Sequence, residues 1–311
     1  MDETNVRVNS LKAWILAARP KTLTGAAVPV MIGIACAVAM YGWCGIRVVP
    51  AVLCMLFALI MQVDANFVND YFDCVRGKDD RETRLGPKRA CTEGWVTLPA
   101  MRRCLVVTTA LACLVGLPLV CFGGWEMVLV GAACVLFCFL YTTLLAQHGM
   151  GDVLVLLFFG LVPVCLTYYV TLPPASQTIT AQVVWASLAC GLVIDTLLVV
   201  NNYRDYDQDR AVGKKTLIVR MGRERAEQLY GWLGNIATYM MWGCLVLGDS
   251  SFVLMLVCFA CFVPYALLHG ATRVQMRRIG RGRELNKVLG MTARNMFVFG
   301  VTTAIVTLFI L

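Results

Sequence analysis

The chain alternates between long apolar runs and short polar connections. A helix needs roughly 20 apolar residues to cross a hydrocarbon core of about 30 Å. Nine runs meet that length: residues 14–40, 48–68, 105–122, 125–146, 153–171, 183–200, 229–247, 252–269 and 289–311. The apolar positions are continuous rather than alternating, which predicts helices and not a membrane β-barrel. Pro20, flanked by Arg19 and Lys21, interrupts the first run. Its opening residues are therefore expected as a helix lying at the membrane interface. The first twelve residues are polar, and no short apolar core with a small-residue cleavage site follows them, so no signal peptide is expected. The expected architecture is an all-α membrane protein, one transmembrane domain over residues 1–311 with about nine spanning helices.

Composition agrees. Hydrophobic residues make up 59% of the chain and charged residues 15%, against roughly 45–50% and about 25% in soluble domains. A soluble enzyme, a disordered chain and a disulfide-rich secreted domain are excluded on these figures. The fifteen cysteines lie mostly inside the apolar runs. They read as small buried apolar residues rather than zinc ligands or disulfide partners. The net charge of +8 does not call for nucleic acid, because its distribution has a membrane explanation. Of the 27 Lys and Arg, all but Arg47 and Arg294 lie in the amino-terminal stretch, the second-to-third, the sixth-to-seventh or the eighth-to-ninth connection. Short cytoplasmic loops collect such cations. This puts the amino terminus inside and the carboxyl terminus outside.

Two of the loaded loops open with related text. Residues 66–80 read N-F-V-N-D-Y-F-D-C-V-R-G-K-D-D, and residues 201–216 read N-N-Y-R-D-Y-D-Q-D-R-A-V-G-K-K-T. Asn69 to Asp73 aligns with Asn201 to Asp205 without a gap, and each copy closes an even-numbered span. This is an internal repeat, and membrane proteins often build a ligand site where such repeats meet. Asn69 and Asp73 are four residues apart, as are Asn201, Asp205 and Asp209, so each set shares a face if its helix continues. Carboxylates at a helix carboxyl end oppose the dipole and are costly near hydrocarbon. A positive partner is required between them. Oxygen donors without His or Cys suit Mg²⁺, which is commonly shared with phosphate groups. The neighbouring Arg81, Arg84, Arg89, Lys214, Lys215 and Arg220 suit the same phosphate oxygens.

With these residues the chain resembles the UbiA superfamily of intramembrane aromatic prenyltransferases, whose members carry N-D-x-x-D-x-x-x-D and D-x-x-x-D motifs. Within it, the text is most similar to the menaquinone-synthesis subgroup acting on 1,4-dihydroxy-2-naphthoate. The matching stretches are A-A-R-P-K-T-L (17–23), N-D-Y-F-D-C-V-R-G-K-D (69–79), R-L-G-P-K-R (84–89), G-D-V-L-V-L-L-F-F-G (151–160) and the block at 201–222. The last acid of the first motif would fall at Gly77, and Asp79 is the nearest substitute, as in that subgroup. The loop after Tyr141 is shorter than the subgroup's.

The resemblance implies Mg²⁺-dependent transfer of a polyprenyl group from its diphosphate to the naphthoate, with loss of diphosphate and CO₂ to give demethylmenaquinone. It implies Asp73, Asp205 and Asp209 as principal catalytic metal ligands, supported by Asn69, Asp70, Asp79 and Asn201. Lys214, Lys215 and Arg220 would hold phosphate. Arg84 and Arg89 would do that or fix the acceptor carboxylate, Arg81 is a further phosphate candidate, and Arg19 and Lys21 would meet diphosphate or lipid headgroups. Tyr141 has two readings, a ring that stabilises the allylic cation or an interfacial anchor. Asp152 likewise reads as an acceptor-side group or as a helix amino-terminal acid. Asp64 and Asp195, inside spans two and six, are expected to face the central cavity or to pair with Arg294. The implied location is the bacterial inner membrane, with the site facing the cytoplasm. Two rivals stand beside this: the same chemistry on another acceptor such as 4-hydroxybenzoate, and a cation or organophosphate transporter with these acids at its midplane.

Overall fold

The computed structural model describes residues 6–77, 83–247 and 251–310. Asp79 and Arg81 therefore lie outside the described residues. The chain is all-helical over what is described. Ser10 caps the first helix, α1 (Leu11–Ala18), through a hydrogen bond from the Ala13 amide to Ser10 Oγ. Arg19 then turns the chain with a left-handed backbone (φ 52°), and after a short turn at Pro20–Thr22 the helix resumes as α2 (Leu23–Tyr41). The interruption falls where Pro20 and its flanking cations place it. Leu11 and Ile15 of α1 are exposed while Ala13 and Ala17 are buried, the two-sided character of an interfacial helix.

The remaining helices are α3 (Val48–Val75), α4 (Leu98–Gly123), α5 (Glu126–Thr143), α6 (Gly151–Thr171), α7 (Ala181–Arg204), the short α8 (Tyr206–Ala211) and α9 (Leu217–Met221), α10 (Arg223–Leu247), α11 (Phe252–Ile279) and α12 (Leu285–Ile310). Among the described residues, eight segments are long and apolar enough to cross a membrane: α1 with α2, α3, α4, α5, α6, α7, α11 and α12. The expected seventh span, α10, forms a 25-residue helix but falls short on apolarity. Arg223, Glu224, Arg225 and Glu227 fill its first turns, and Asn235 and Thr238 interrupt the rest. All fifteen cysteines are free thiols.

Packing explains the order of the bundle. Helices α2, α6, α7, α10, α11 and α12 share one apolar core around Ile32, Cys36, Val164, Cys190 and Phe299. A second core joins α1, α3, α4 and the loop at 90–96 around Phe67, Val68 and Met101. Where α6 crosses α7, a Cβ on Gly160 would lie 2.9 Å from the Gly191 Cα. Two glycines let the backbones touch, and α6 widens into a π-turn at Leu156–Leu161 over the same stretch. At the opposite end of the bundle from the acidic motifs, Arg47 Nη2 donates to Phe122 O (3.1 Å) and Val170 O (2.9 Å), closing the carboxyl ends of α4 and α6.

Candidate active site

Helix α3 runs on to Val75, seven residues past its expected end at 68, and so carries Asn69 to Asp73 on helix. The second motif closes α7. That helix stops at Arg204, but the Asp205 amide still bonds Asn201 O (3.1 Å) and the Asp209 amide bonds Asp205 O (2.8 Å). The four-residue spacing therefore survives the brief break before α8. Asn69, Asp73, Asn201, Asp205 and Asp209 all line one cavity of about 2410 Å³. The two halves of the repeat meet there. Arg19, Lys21, Arg84, Arg89, Tyr141 and Lys214 line it as well.

Each acid is held. Asp73 Oδ2 accepts from Arg89 Nη2 at 2.9 Å, and Asp209 Oδ1 from Lys214 Nζ at 2.5 Å. Asp205 receives a two-pronged grip from Arg204, Nε to Oδ1 at 2.8 Å and Nη2 to Oδ2 at 2.6 Å. Burial pushes the Asp209 carboxyl above the ordinary aspartate range, and Lys214 pulls it back in part. Asn69 Oδ1 accepts from Thr142 Oγ1 of α5 at 2.6 Å.

Other expected residues are placed elsewhere. Asp70 is fully buried, and its two oxygens accept from the amides of Ala90 (2.8 Å) and Cys91 (2.9 Å). It faces away from the cavity because one residue along a helix is a turn of about 100°. It is a fixture of the 90–96 loop and does not join the acidic cluster. Lys215 and Arg220 do not line the cavity; Arg220 Nη2 donates to His148 O at 3.0 Å. Asp64 does not face the cavity or meet Arg294. It accepts from Thr108 and from Thr109 (2.9 Å) on α4, while Arg294 turns to Asn295. Asp152 and Asp195 also lie outside the main cavity.

Several site residues were not anticipated. Arg204 is 3% exposed and adds a bond from Nη1 to Asn286 Oδ1 (3.0 Å), while Asn286 Nδ2 donates to Leu85 O (2.8 Å). A Cβ on Gly86 would stand 2.8 Å from Arg204 Nη2, so the glycine admits the guanidinium. The first motif's loop, the end of α7 and the start of α12 are thus tied together at one arginine. Its place inside N-N-Y-R-D was a signal in the sequence. Asn286, 82 residues farther on, had none. Asn66 was missed too; it donates to Ala18 O and Thr22 Oγ1, both at 2.9 Å, and fixes the bend after α1.

The cavity follows α3 from Asp73 to Cys54, about 28 Å at 1.5 Å per residue. Beyond the cluster its wall is apolar, with Phe57, Met61, Phe137, Phe158 and Phe297. Its volume exceeds the roughly 300–1,000 Å³ of ordinary small-ligand pockets. A charged mouth on a long apolar shaft suits a ligand with an anionic head and a long hydrocarbon tail.

The cluster fits Mg²⁺ by donor chemistry, since all five side chains offer oxygen and none offers His or Cys. Among the described residues, no three acids, cysteines or histidines converge as a ready metal cage.

Comparison with known proteins gives the same answer. Residues 26–291 match the model of the UbiA prenyltransferase family. The chain is 33% identical over 307 residues to 1,4-dihydroxy-2-naphthoate octaprenyltransferase of Mycobacterium tuberculosis, covering 95% of this chain and 96% of that one. It is 32% identical to the protein of the same name from Escherichia coli, over 85% of this chain and 80% of that one. A UbiA homologue from Aeropyrum pernix K1 has the same fold, with a TM-score of 0.63 at 13% identity over 90% of this chain and 96% of that one. A homologue from Archaeoglobus fulgidus bound to GPP and Mg²⁺ superposes with a TM-score of 0.61 at 14% identity, over 94% of this chain and 99% of that one. The paired acidic motifs on one cavity, the family match and these relatives agree, and the chain belongs to the UbiA prenyltransferase family, as a multi-pass membrane protein.

Proposed function

We propose that the protein transfers a polyprenyl group from a polyprenyl diphosphate to 1,4-dihydroxy-2-naphthoate, releasing diphosphate and CO₂ and giving demethylmenaquinone for menaquinone synthesis. The observation that carries this is that Asp73, Asp205 and Asp209, from both copies of the repeat, line the charged mouth of one long apolar cavity. The acceptor comes from the relatives, which are named for it and match over 80% or more of their length.

In this reading Asp73, Asp205 and Asp209, with Asn69 and Asn201, hold the Mg²⁺ ions. Bound there, Mg²⁺ supplies the positive charge that neutralises a diphosphate leaving group and lets the allylic C–O bond ionise. Lys214 and Arg89 border the same space and hold diphosphate oxygens as charge-assisted donors. Arg84, Lys21 and Arg19 line the same cavity and extend that set of cations. The apolar wall excludes water from the allylic cation, which water would otherwise quench. The Tyr141 ring lies in that wall, where its face stabilises positive charge. Membrane topology follows the cation asymmetry, with the acidic site and the amino terminus on the cytoplasmic side of the inner membrane. A midplane transporter site is disfavoured because the acids sit at the ends of α3 and α7 rather than mid-helix.

The test is product analysis by mass spectrometry on purified protein given Mg²⁺, a prenyl diphosphate and the naphthoate. The expected product has the mass of the decarboxylated, prenylated naphthoquinol. Turnover of 4-hydroxybenzoate in place of the naphthoate would overturn the acceptor assignment.

A further inference from the structure

Two carboxyl groups, on half-buried Asp152 and buried Asp195, have no task in the acidic cluster. Asp152 opens α6, and Asp195 lies on α7, 6% exposed. They stand within electrostatic reach of each other, and both of them within reach of Tyr141. Oδ1 of each is buried without a hydrogen-bond partner. The third acid inside a span, Asp64, is by contrast satisfied by two threonines. A buried carboxyl oxygen left without a partner inside a membrane bundle calls for a functional reason.

A second, small cavity of about 20 Å³ lies beside Asp152, lined also by Tyr141, Asn202 and Thr216 among others. A single water needs roughly 10–15 Å³ and two to four polar neighbours, so this space suits one. Tyr141 and Asn202 line both cavities. The Tyr141 hydroxyl hangs over Gly151, where a Cβ would lie 3.6 Å from Oη. Tyr141 is thus the shared wall between the reaction chamber and the acid pair.

We propose that Asp152 and Asp195, reached from the main cavity through Tyr141 and one water, take up and return the proton of the aromatic acceptor's hydroxyl group. This rests on the acceptor reading above. As the allylic C–O bond breaks, its electron pair leaves with diphosphate. The carboxylated ring carbon forms the new C–C bond to the allylic carbon. The hydroxyl on the adjacent ring carbon becomes a carbonyl, and its proton passes by way of Tyr141 and the water to Asp152. The C–C bond to the carboxylate then breaks, CO₂ departs, and its electron pair restores the aromatic ring. The carbonyl oxygen takes the proton back. No net proton is consumed, so a store that lends one and recovers it is what the sequence of steps requires. Asp195 is a positioning partner, acting through Asp152.

The test uses the full chain with Asp152→Asn, Asp195→Asn and Tyr141→Phe, each close in shape to the original. Calorimetric affinity for Mg²⁺ with geranyl diphosphate reports fold and metal site, and is expected within twofold of the unmodified protein. With the naphthoate added, kcat is expected to fall by about 10²–10⁴-fold in Asp152→Asn, the usual range for a lost acid–base group, and less in the other two. The solvent deuterium isotope effect on kcat is expected to rise in all three as proton transfer becomes limiting. Unchanged kcat, or an equal loss of donor affinity and turnover, overturns the proposal. An unmodified protein that leaves the naphthoate untouched overturns the acceptor reading instead, so the two failures are distinguishable.

Discussion

Arg204 and Asp205 are sequence neighbours whose side chains bond twice, Nε to Oδ1 at 2.8 Å and Nη2 to Oδ2 at 2.6 Å. The fork sets the plane of the carboxylate that faces the cavity, and Asn286 and Gly86 hold the fork in turn. Lysine has one point charge and no fork. Arg204→Lys is expected to raise the Mg²⁺ concentration for half-maximal rate by about tenfold, in the range for loss of a group that orients a metal ligand. Gly86→Ala, which crowds the same guanidinium, is expected to shift it in the same direction. A Mg²⁺ titration of initial rate checks both.

Asp73 and Asp205 end the two halves of the repeat. Replacing either with Ala removes a carboxylate where leaving-group charge must be offset. Turnover is expected to fall at least about 10²–10³-fold, the scale for one lost electrostatic contact in a water-poor site. Chelation of Mg²⁺ is expected to abolish the rate in the unmodified protein, with recovery on adding it back. Size-exclusion profiles of the variants show whether fold is retained. Near-normal rates would remove these residues from the metal site.

Asp70 separates structure from chemistry. Its carboxylate receives two backbone amides, and such charged hydrogen bonds contribute about 1.5–3 kcal/mol each. Asp70→Ala is expected to lower the melting temperature in detergent and loosen the 90–96 loop to protease. In the fraction that stays folded, the Mg²⁺ dependence should match the unmodified protein. A selective loss of Mg²⁺ affinity with unchanged melting would make Asp70 a ligand after all.

Arg47 ties α4 to α6 at the end of the bundle remote from the acids. Arg47→Gln leaves the Val170 carbonyl without its side-chain donor, while Phe122 O keeps Gln177 Nε2 at 2.6 Å; the loss is about 1–3 kcal/mol for a buried group. Thermal melting should show the loss, while kcat in folded protein stays within about twofold, because no part of the acidic cluster moves.

Much of this was readable along the chain. The apolar runs predict the helices because a bilayer imposes a length that composition alone can meet. The break at Arg19 and Pro20, the free cysteines and the pairing of the two acidic motifs follow from local text. The run at 229–247 forms a helix as expected, but Asn235, Thr238 and its aromatic residues dilute its apolarity below that of the eight spanning segments.

Which neighbour each side chain meets was not readable. Asp70 and Asp73 have the same chemistry three residues apart, yet a loop twenty residues on claims Asp70 and leaves Asp73 on the cavity. Asp64 and Asp195 look alike in sequence, yet threonines on α4 satisfy one while an oxygen of the other is buried without a partner. Arg220 and Lys214 sit in one basic block, but only Lys214 lines the cavity. Periodicity and composition act through the solvent, which every residue senses locally, so they determine helices and their order. Partners are chosen by contacts between segments far apart in sequence, such as Arg204 with Asn286, and those exist only once the bundle has closed.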